Sequence, residues 1–354
     1  MLSAVSISES EHYQRGSTSD PYMENLLAQL GFEEISTASY QYRSEILDEI
    51  VNVFAPGKTD VTAYTVASKH ITDPETGKKK LLVIAAVRGS YGSEWLSNLN
   101  MGFSNGLVAG MDLGKGDHSG FSTAAKEVAN AILTHVNSLE DENGEPVDLR
   151  DVSVLFCGHS RGAATASLAA AYLDNISTEW TSDPDADDEY SSWYIHHDSI
   201  YAYAFATPQV SASETCRDAA YDNIFNVLNP ADLVPRMPLA QWGFGRYGRD
   251  LWLPEPGCPG FDEKYAAFCE DFTQDMGCPS KYNPDDASVV DGIEEKLSSQ
   301  SPTIEDFTTP VGVGRGLKTL LLDNDIVRIL QAHVPNTYIS WLKVTDATDL
   351  RTSR

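Results

Sequence analysis

One segment near the middle of the chain restricts the possible folds more than any other. The apolar run at residues 152–157 (VSVLFC) is followed directly by GHSRG at residues 158–162 and then by an alanine-rich stretch with helical spacing. This order predicts a strand, a tight turn and a helix, with Ser160 at the apex of the turn. Glycines on both sides allow close backbone approach because they lack a Cβ atom. The segment therefore predicts a nucleophile elbow, with the serine hydroxyl at a helix N-terminus whose dipole favours developing negative charge.

Apolar runs elsewhere in the chain predict an alternation of strands and helices. Several of the strand-like runs are continuously apolar, which is typical of a parallel sheet covered by helices on both faces. We therefore predict an α/β fold with a mostly parallel central sheet. The predicted elements are one or two helices within 21–55, a hairpin of 61–71 with 81–87, helix 119–138, strand 152–157, helix 161–174, and strands 199–206 and 223–229.

The distribution of polar residues predicts a short leader, one large domain and two segments that interrupt its strand–helix alternation. Residues 1–20 are polar and are predicted to be a flexible leader, and residues 21–354 are predicted to form a single domain. Residues 178–198 are acidic and loop-like. Residues 240–316 are rich in glycine, proline and aromatic residues, and they are too long for a plain connection. We expect them to be a cap or lid-like insertion before the C-terminal helix.

A serine hydroxyl is a poor nucleophile without a base, and the base needs a third group that orients it. In α/β-hydrolases the acid and then the histidine follow the serine along the chain. Asp232 lies directly after strand 223–229 in a loop bracketed by prolines, and of the eight histidines only His333 follows both residues. We therefore predict acyl transfer by a triad of Ser160, His333 and Asp232.

Five ordered segments, taken together, resemble the class 3 (fungal-type) lipase family. They are residues 86–90 (AVRGS), 94–99 (EWLSNL), 118–121 (HSGF), 205–208 (FATP) and 232–238 (DLVPRMP). The resemblance implies an α/β-hydrolase fold and lipase-like hydrolysis of carboxylic esters. It also implies that the backbone N–H groups of Ser90 and Arg161 form the oxyanion hole, that His118 is structural, and that residues 102–116 are the lid.

The chain also departs from the family pattern. The residue after the nucleophile is commonly apolar in the family, and a second glycine follows further on, whereas this chain has Arg161 and Ala163. A guanidinium at the mouth of the site weakens the case for a strictly apolar, interface-activated lipase. The alternative is that the Arg161 side chain pairs with an acidic residue of an insertion. The resemblance covers about residues 80–240 and the region around His333, and residues 240–316 have no counterpart in it.

Composition restricts the possible partners. The chain has 25 basic and 52 acidic residues, which gives a net charge of −27. Such a surface repels nucleic acid and anionic membranes. We therefore expect a small-molecule or lipid ester as substrate, no nucleic-acid partner, and at most transient contact with a lipid interface. No apolar run approaches the ~18 residues that can span a bilayer.

No cofactor or metal is predicted. The glycines at 312–316 follow no strand and lack the lysine of a phosphate loop, and residues 183–189 lack the glycine and glutamate of an EF-hand, which leaves only a looser surface calcium site open. The printed start shows no signal peptide. The resemblance implies a secreted or cell-surface protein, and a cytoplasmic one stays open. One or two disulfides would suit an exported chain and free thiols a cytosolic one, with the pairing open among Cys216, Cys258, Cys269 and Cys278.

Three functions remain compatible with the sequence. The first is hydrolysis of acylglycerol-like or shorter carboxylic esters through an acyl-enzyme. The second is a phospholipase, thioesterase or acyltransferase reaction with the same triad. The third is a catalytically silent hydrolase-fold binding module, which would have no need to keep the serine, the acid and the histidine together. Neither the acyl chain length nor the oligomeric state follows from the sequence.

Overall fold

A computed structural model describes residues 22–38, 63–89, 119–141, 144–181, 194–322 and 326–353. Several of the predictions fall on other residues and lie outside this part of the chain. These are the leader at 1–20, Ser90, the segments 94–99 and 102–116, His118, and the acidic segment 183–189.

The secondary structure alternates through most of the described chain. The strands are β1 (Glu33–Ala38), β2 (Tyr64–Thr72), β3 (Lys79–Val87), β4 (Val152–His159), β5 (Ile200–Phe205), β6 (Ile224–Leu228), β7 (Arg249–Trp252) and β8 (Arg351–Ser353). The helices are α1 (Tyr22–Gln29), α2 (Ser119–Asn137), α3 (Arg161–Thr181), α4 (Phe261–Met276), α5 (Asp286–Gln300), α6 (Ile304–Thr308), α7 (Pro310–Leu317), α8 (Ile326–Ile329) and α9 (Pro335–Val344).

The described strands form one sheet of eight, in the same order as in the sequence. Strands β3 to β7 are parallel to one another, whereas β1, β2 and β3 pair antiparallel at one end and β7 and β8 pair antiparallel at the other. This confirms the predicted α/β fold with a mostly parallel sheet. The carboxyl ends of the parallel strands share one edge of the sheet, and the loops that follow them meet there.

Side chains that alternate along the central strands bury both faces of the sheet. Val83 and Ala85 face α2 and α3 in the largest apolar cluster. Ile84 and Ala86, their neighbours in the same strand, face α1 on the opposite side. The continuous apolar runs of the sequence thus follow from burial on both faces.

Three strands were not predicted from the sequence: β1, β7 and the three-residue β8. Residues 33–38 were assigned to a helical region, but α1 ends at Gln29. Gly31, with a positive φ of 77°, turns the chain away from the helix, and β1 then pairs with β2. Strand β7 lies inside the segment predicted as an insertion. It is four residues long and includes two charged residues, so its sequence carried no strand signal. Each of these three strands owes its conformation to pairing with a neighbouring strand.

Residues 261–344 pack in two groups behind the last parallel strands. Helix α4 lies against α9, where Phe268, Tyr282 and Trp341 form an aromatic cluster with Phe205 of the sheet. Helix α5 and the segments after it form a second cluster with Leu233. No disulfide joins the five cysteines, which all lie within the described residues. Among those residues no helix has the length and apolar character needed to cross a membrane.

We predict that Phe268→Ala destabilises the protein by about 3–5 kcal/mol, because it removes a fully buried ring. The Phe268 ring stacks on Trp341 with 5.0 Å between ring centroids. The free energy of unfolding in urea measures the effect. Gln274→Ala, at an exposed position of the same helix, is the control and should change it by less than about 0.5 kcal/mol. Equal effects of the two substitutions would contradict the packing described for α4.

Candidate active site

The turn between β4 and α3 is so tight that positions 158 and 162 require glycine. A Cβ atom on Gly158 would lie 2.2 Å from the carbonyl oxygen of Gly162, and one on Gly162 would lie 2.4 Å from that of Val87. Ser160 itself has a left-handed backbone with φ of 57°, which costs a non-glycine residue energy. Its N–H donates to the carbonyl of Phe205 at 2.8 Å, so β5 holds the strained residue in place.

Three side chains that are distant in sequence meet above this turn. His333 Nε2 lies 2.8 Å from Ser160 Oγ, and His333 Nδ1 lies 2.8 Å from Asp232 Oδ2. His333 is separated from the serine by 173 positions and from the aspartate by 101. All three side chains are buried. The arrangement is a continuous serine–histidine–carboxylate relay, with the acid on the loop after β6 and the histidine directly before α9.

The carboxylate of Asp232 is held by more than the histidine. Its Oδ1 accepts from the N–H of Val234 at 2.9 Å, and its Oδ2 accepts from the phenol of Tyr338 at 2.8 Å. The Tyr338 oxygen also accepts from the N–H of Asn229 at 3.0 Å. Burial, and then the charge of Asp232, raise the pKa of Tyr338 well above its ordinary value, so the phenol stays a donor.

Tyr338 was not predicted as a site residue. It stands five positions after His333 in the sequence, and a tyrosine at that distance carries no specific signal. Its contact with Asp232 arises because α9 places the phenol over the acid loop, 106 positions away in sequence. The sequence alone does not show that these two segments lie close together.

His159, next to the nucleophile, packs directly on the relay. Its ring centroid lies 4.9 Å from that of His333 and 5.6 Å from that of Tyr338. Burial, and then the nearby His333, lower the pKa of His159 well below its ordinary value of 6.5. His159 therefore stays neutral and adds no positive charge beside the base. Because His159 precedes Ser160 in the sequence, it was not predicted as the base, and in the structure its ring lies beside His333.

Of the two predicted oxyanion donors, Arg161 lies within the described residues and Ser90 does not. Arg161 is the first residue of α3, where backbone N–H groups point out of the helix end. The residue before Ser90, Gly89, packs tightly on the nucleophile turn, since a Cβ on it would lie 2.6 Å from the carbonyl oxygen of His159. Gly89, two residues after β3, thus lies directly against the turn.

Other candidates considered from the sequence lie elsewhere. Asp222 precedes β6 and pairs with Arg249, away from the relay, as its position before the strand indicated. His197 pairs with the buried Asp174 at 2.9 Å at the start of β5, which is the opposite edge of the sheet. In the described part of the chain no group of three or more His, Cys, Asp or Glu side chains is placed to hold a metal ion.

We predict that Tyr338→Phe lowers the reactivity of Ser160 by about tenfold. The variant removes a charge-assisted hydrogen bond of about 1.5–3 kcal/mol from the carboxylate that orients the base. The rate of phosphonylation of Ser160 by a fluorophosphonate measures this reactivity. Tyr282→Phe is the matched control, because Tyr282 is a buried phenol of the same cluster that contacts Asn229 and not Asp232. An unchanged rate in Tyr338→Phe would exclude a part for its hydroxyl in orienting the relay.

We predict that His159 makes the fold less stable as pH falls. Above pH 6.5 the imidazole is neutral in both states. Below it the unfolded chain binds a proton that the folded chain does not, so stability falls by up to about 1.4 kcal/mol per pH unit. Urea unfolding between about pH 7 and about pH 5 measures the slope, which should become shallower in His159→Asn. The same slope in both proteins would show that this ring does not cause the pH dependence.

Comparison with known proteins confirms the family resemblance. Residues 84–242 match the model of the class 3 lipases, "Lipase (class 3)". This span includes the segment after β3, the turn that carries Ser160 and the loop that carries Asp232. It ends at residue 242, before β7. The match therefore covers Ser160 and Asp232 but not His333.

Two secreted fungal lipases are similar in sequence. The secreted mono- and diacylglycerol lipase 1 of Fusarium solani is 28% identical over 198 residues, which is 55% of this chain and 48% of that protein. The secreted mono- and diacylglycerol lipase A of Penicillium cyclopium is 25% identical over 181 residues, which is 49% of this chain and 48% of that protein. The chain spans about half the length of the curated relatives it matches.

Solved structures of fungal lipases are also similar. A crystal structure of a mutant form of MDLA from Penicillium cyclopium is 20% identical and covers 73% of this chain and 78% of that one, with a TM-score of 0.40.

Proposed function

We propose that this chain, whose residues 84–242 match the class 3 lipases, is a serine hydrolase that cleaves carboxylic esters. The observation that carries the proposal is the relay from Ser160 through His333 to Asp232, with 2.8 Å at each of its two hydrogen bonds. Such a relay activates a hydroxyl for attack on a carbonyl carbon. The proposal assigns the nucleophile to Ser160, the general base to His333 and the orienting acid to Asp232.

The proposed reaction has two halves. In the first, His333 takes the proton of Ser160 as the hydroxyl oxygen attacks the ester carbonyl, and it then gives that proton to the leaving alcohol. In the second, water attacks the acyl-enzyme while His333 again takes and returns a proton, which releases the carboxylic acid and restores Ser160. Asp232 holds the imidazole and balances the charge that it carries in each transition state.

The oxyanion of each tetrahedral intermediate needs donors that are already in place. We assign this role to the backbone N–H groups of Arg161 and Ser90. The N-terminus of α3, a helix of 21 residues, adds a favourable dipole at the same position. The close approach of Gly89 to the carbonyl of His159 supports the assignment of the next residue, Ser90, as the second donor.

The substrate class follows from the relatives and from charge. The two sequence relatives are named as secreted mono- and diacylglycerol lipases. We propose acylglycerol-like or shorter neutral esters as substrates and a secreted or cell-surface location. A net charge of −27 disfavours anionic interfaces, so we expect at most transient contact with a lipid surface.

We predict that Ser160→Ala abolishes ester turnover, with a loss of at least about 10³-fold in kcat. Hydrolysis of p-nitrophenyl esters of increasing acyl length measures turnover and acyl preference together. Ser167→Ala is the control, because Ser167 is a buried serine of the helix that follows Ser160 and its hydroxyl donates to the Ala164 carbonyl. The wild type and Ser167→Ala should turn over alike.

The same experiment separates the alternatives. Folded wild type that hydrolyses no ester of the series would contradict the proposal. Retained turnover in Ser160→Ala would exclude this serine as the nucleophile. Parallel assays with an acyl thioester, with a phospholipid, and with an alcohol as acyl acceptor test the thioesterase, phospholipase and acyltransferase reactions. Faster turnover in one of these would move the assignment to that class while keeping the triad.

A further inference from the structure

Arg246 is a buried arginine just before β7, and it lies outside the matched family segment. Its side chain is only 4% exposed. One side of its guanidinium meets Asp250, with Nε at 2.9 Å from Oδ1 and Nη2 at 3.3 Å from Oδ2. The other side donates from Nη1 to two backbone carbonyls, those of Thr207 at 2.8 Å and Pro235 at 2.7 Å. Burying a guanidinium costs free energy, and its pKa is lowered by that burial.

The two carbonyls belong to the two loops that position the relay. Thr207 stands two residues after Phe205, whose carbonyl accepts the N–H of the nucleophile Ser160. Pro235 stands three residues after the acid Asp232. A single nitrogen atom of Arg246 therefore joins the strand end that holds the nucleophile to the loop that carries the acid.

The same two loops are joined at a second place. Gln209 donates from its backbone N–H to the carbonyl of Met237 at 2.9 Å and from Nε2 to the carbonyl of Pro238 at 3.0 Å. Gln209 is buried as well. The loop after β5 and the acid loop are thus held along their length, with Arg246 at the end nearer to Asp232.

We propose that Arg246 is a positioning residue for the triad, which sets the separation between the loop after β5 and the acid loop. This inference rests on the proposed function. A displacement of about 1 Å in a reacting group can lower a rate by about 10²-fold. Only the planar fork of arginine can meet a carboxylate on one side and two carbonyls on the other, because a lysine presents one nitrogen.

The alternative role for Arg246 is to neutralise Asp250. Burial raises the pKa of Asp250, but the charges and hydrogen bonds of Arg246 and Arg217 outweigh burial, and the net pKa is lowered. Arg217 makes a matched comparison possible. Its Nη2 lies 2.9 Å from the same carboxylate, whereas its Nη1 donates to the carbonyl of Gly248, which belongs to neither of the two loops.

The test compares Arg246→Lys, Arg246→Met and Arg217→Met in the full chain with p-nitrophenyl ester as substrate. Positioning predicts that both Arg246 variants lose about 10²-fold in kcat, with KM changed by less than about threefold. It also predicts that the acid limb of their pH–rate profile moves, since Asp232 no longer holds the base at its proper distance. Arg217→Met should keep kcat within about threefold of the wild type and keep the profile, while its melting temperature falls.

A double variant, Arg246→Met with Asp250→Leu, covers the case in which Arg246→Met does not fold. It removes the ion pair without leaving an unpaired buried carboxylate. Positioning predicts that it recovers the melting temperature but not kcat. Recovery of kcat in the double variant, a wild-type kcat in Arg246→Lys and Arg246→Met, or an equal loss in Arg217→Met would each overturn the inference in favour of charge neutralisation.

The wild-type enzyme separates this inference from the function on which it rests. If wild-type protein neither hydrolyses the ester nor reacts with a fluorophosphonate, the proposed hydrolase function fails. If the wild type is active and the Arg246 variants match it, the hydrolase stands and only the positioning role fails.

Discussion

The close approach of β4 and α3 at the nucleophile turn is the constraint on which the site depends. Gly158 and Gly162 allow a backbone separation that no side chain would tolerate, and Ser160 takes a left-handed conformation as a result. The N–H of that residue is bound by Phe205 of the next strand. Gly162 also lies directly against Val87 of β3. The position of Ser160 is therefore set by the neighbouring parallel strands β3, β4 and β5, and not by the turn alone.

The other two members of the relay are positioned by packing behind the sheet. Leu233 of the acid loop and Leu330 of the segment that leads to His333 belong to one apolar cluster, built around α5. Ala231 and Ala332, which lie next to the acid and the histidine, belong to the aromatic cluster of α4 and α9. The segment between Asp232 and His333 therefore supports both of these residues through its packing.

The sequence predicted what depends on local order and missed what depends on distant contacts. The elbow, the sheet and the candidates Asp232 and His333 follow from strand–turn–helix patterns and from the order of residue types along the chain. Strand β7, Tyr338 and Arg246 act through partners far away in sequence or through pairing with a neighbouring strand. A four-residue strand with two charges, a phenol near a histidine and a lone arginine carry no pattern of their own, so only the fold reveals their partners.

The groups around His333 suit the ion that the proposed reaction would form there. An imidazolium formed at His333 is buried, and a buried charge without a partner costs several kcal/mol. Asp232 supplies the opposite charge at 2.8 Å, and its remaining hydrogen bonds come from the neutral donors Val234 and Tyr338. His159, 4.9 Å from the base ring, stays neutral and does not repel the new charge. In the proposed reaction these groups would stabilise the protonated form of His333, and a positively charged ring in place of His159 would oppose its formation.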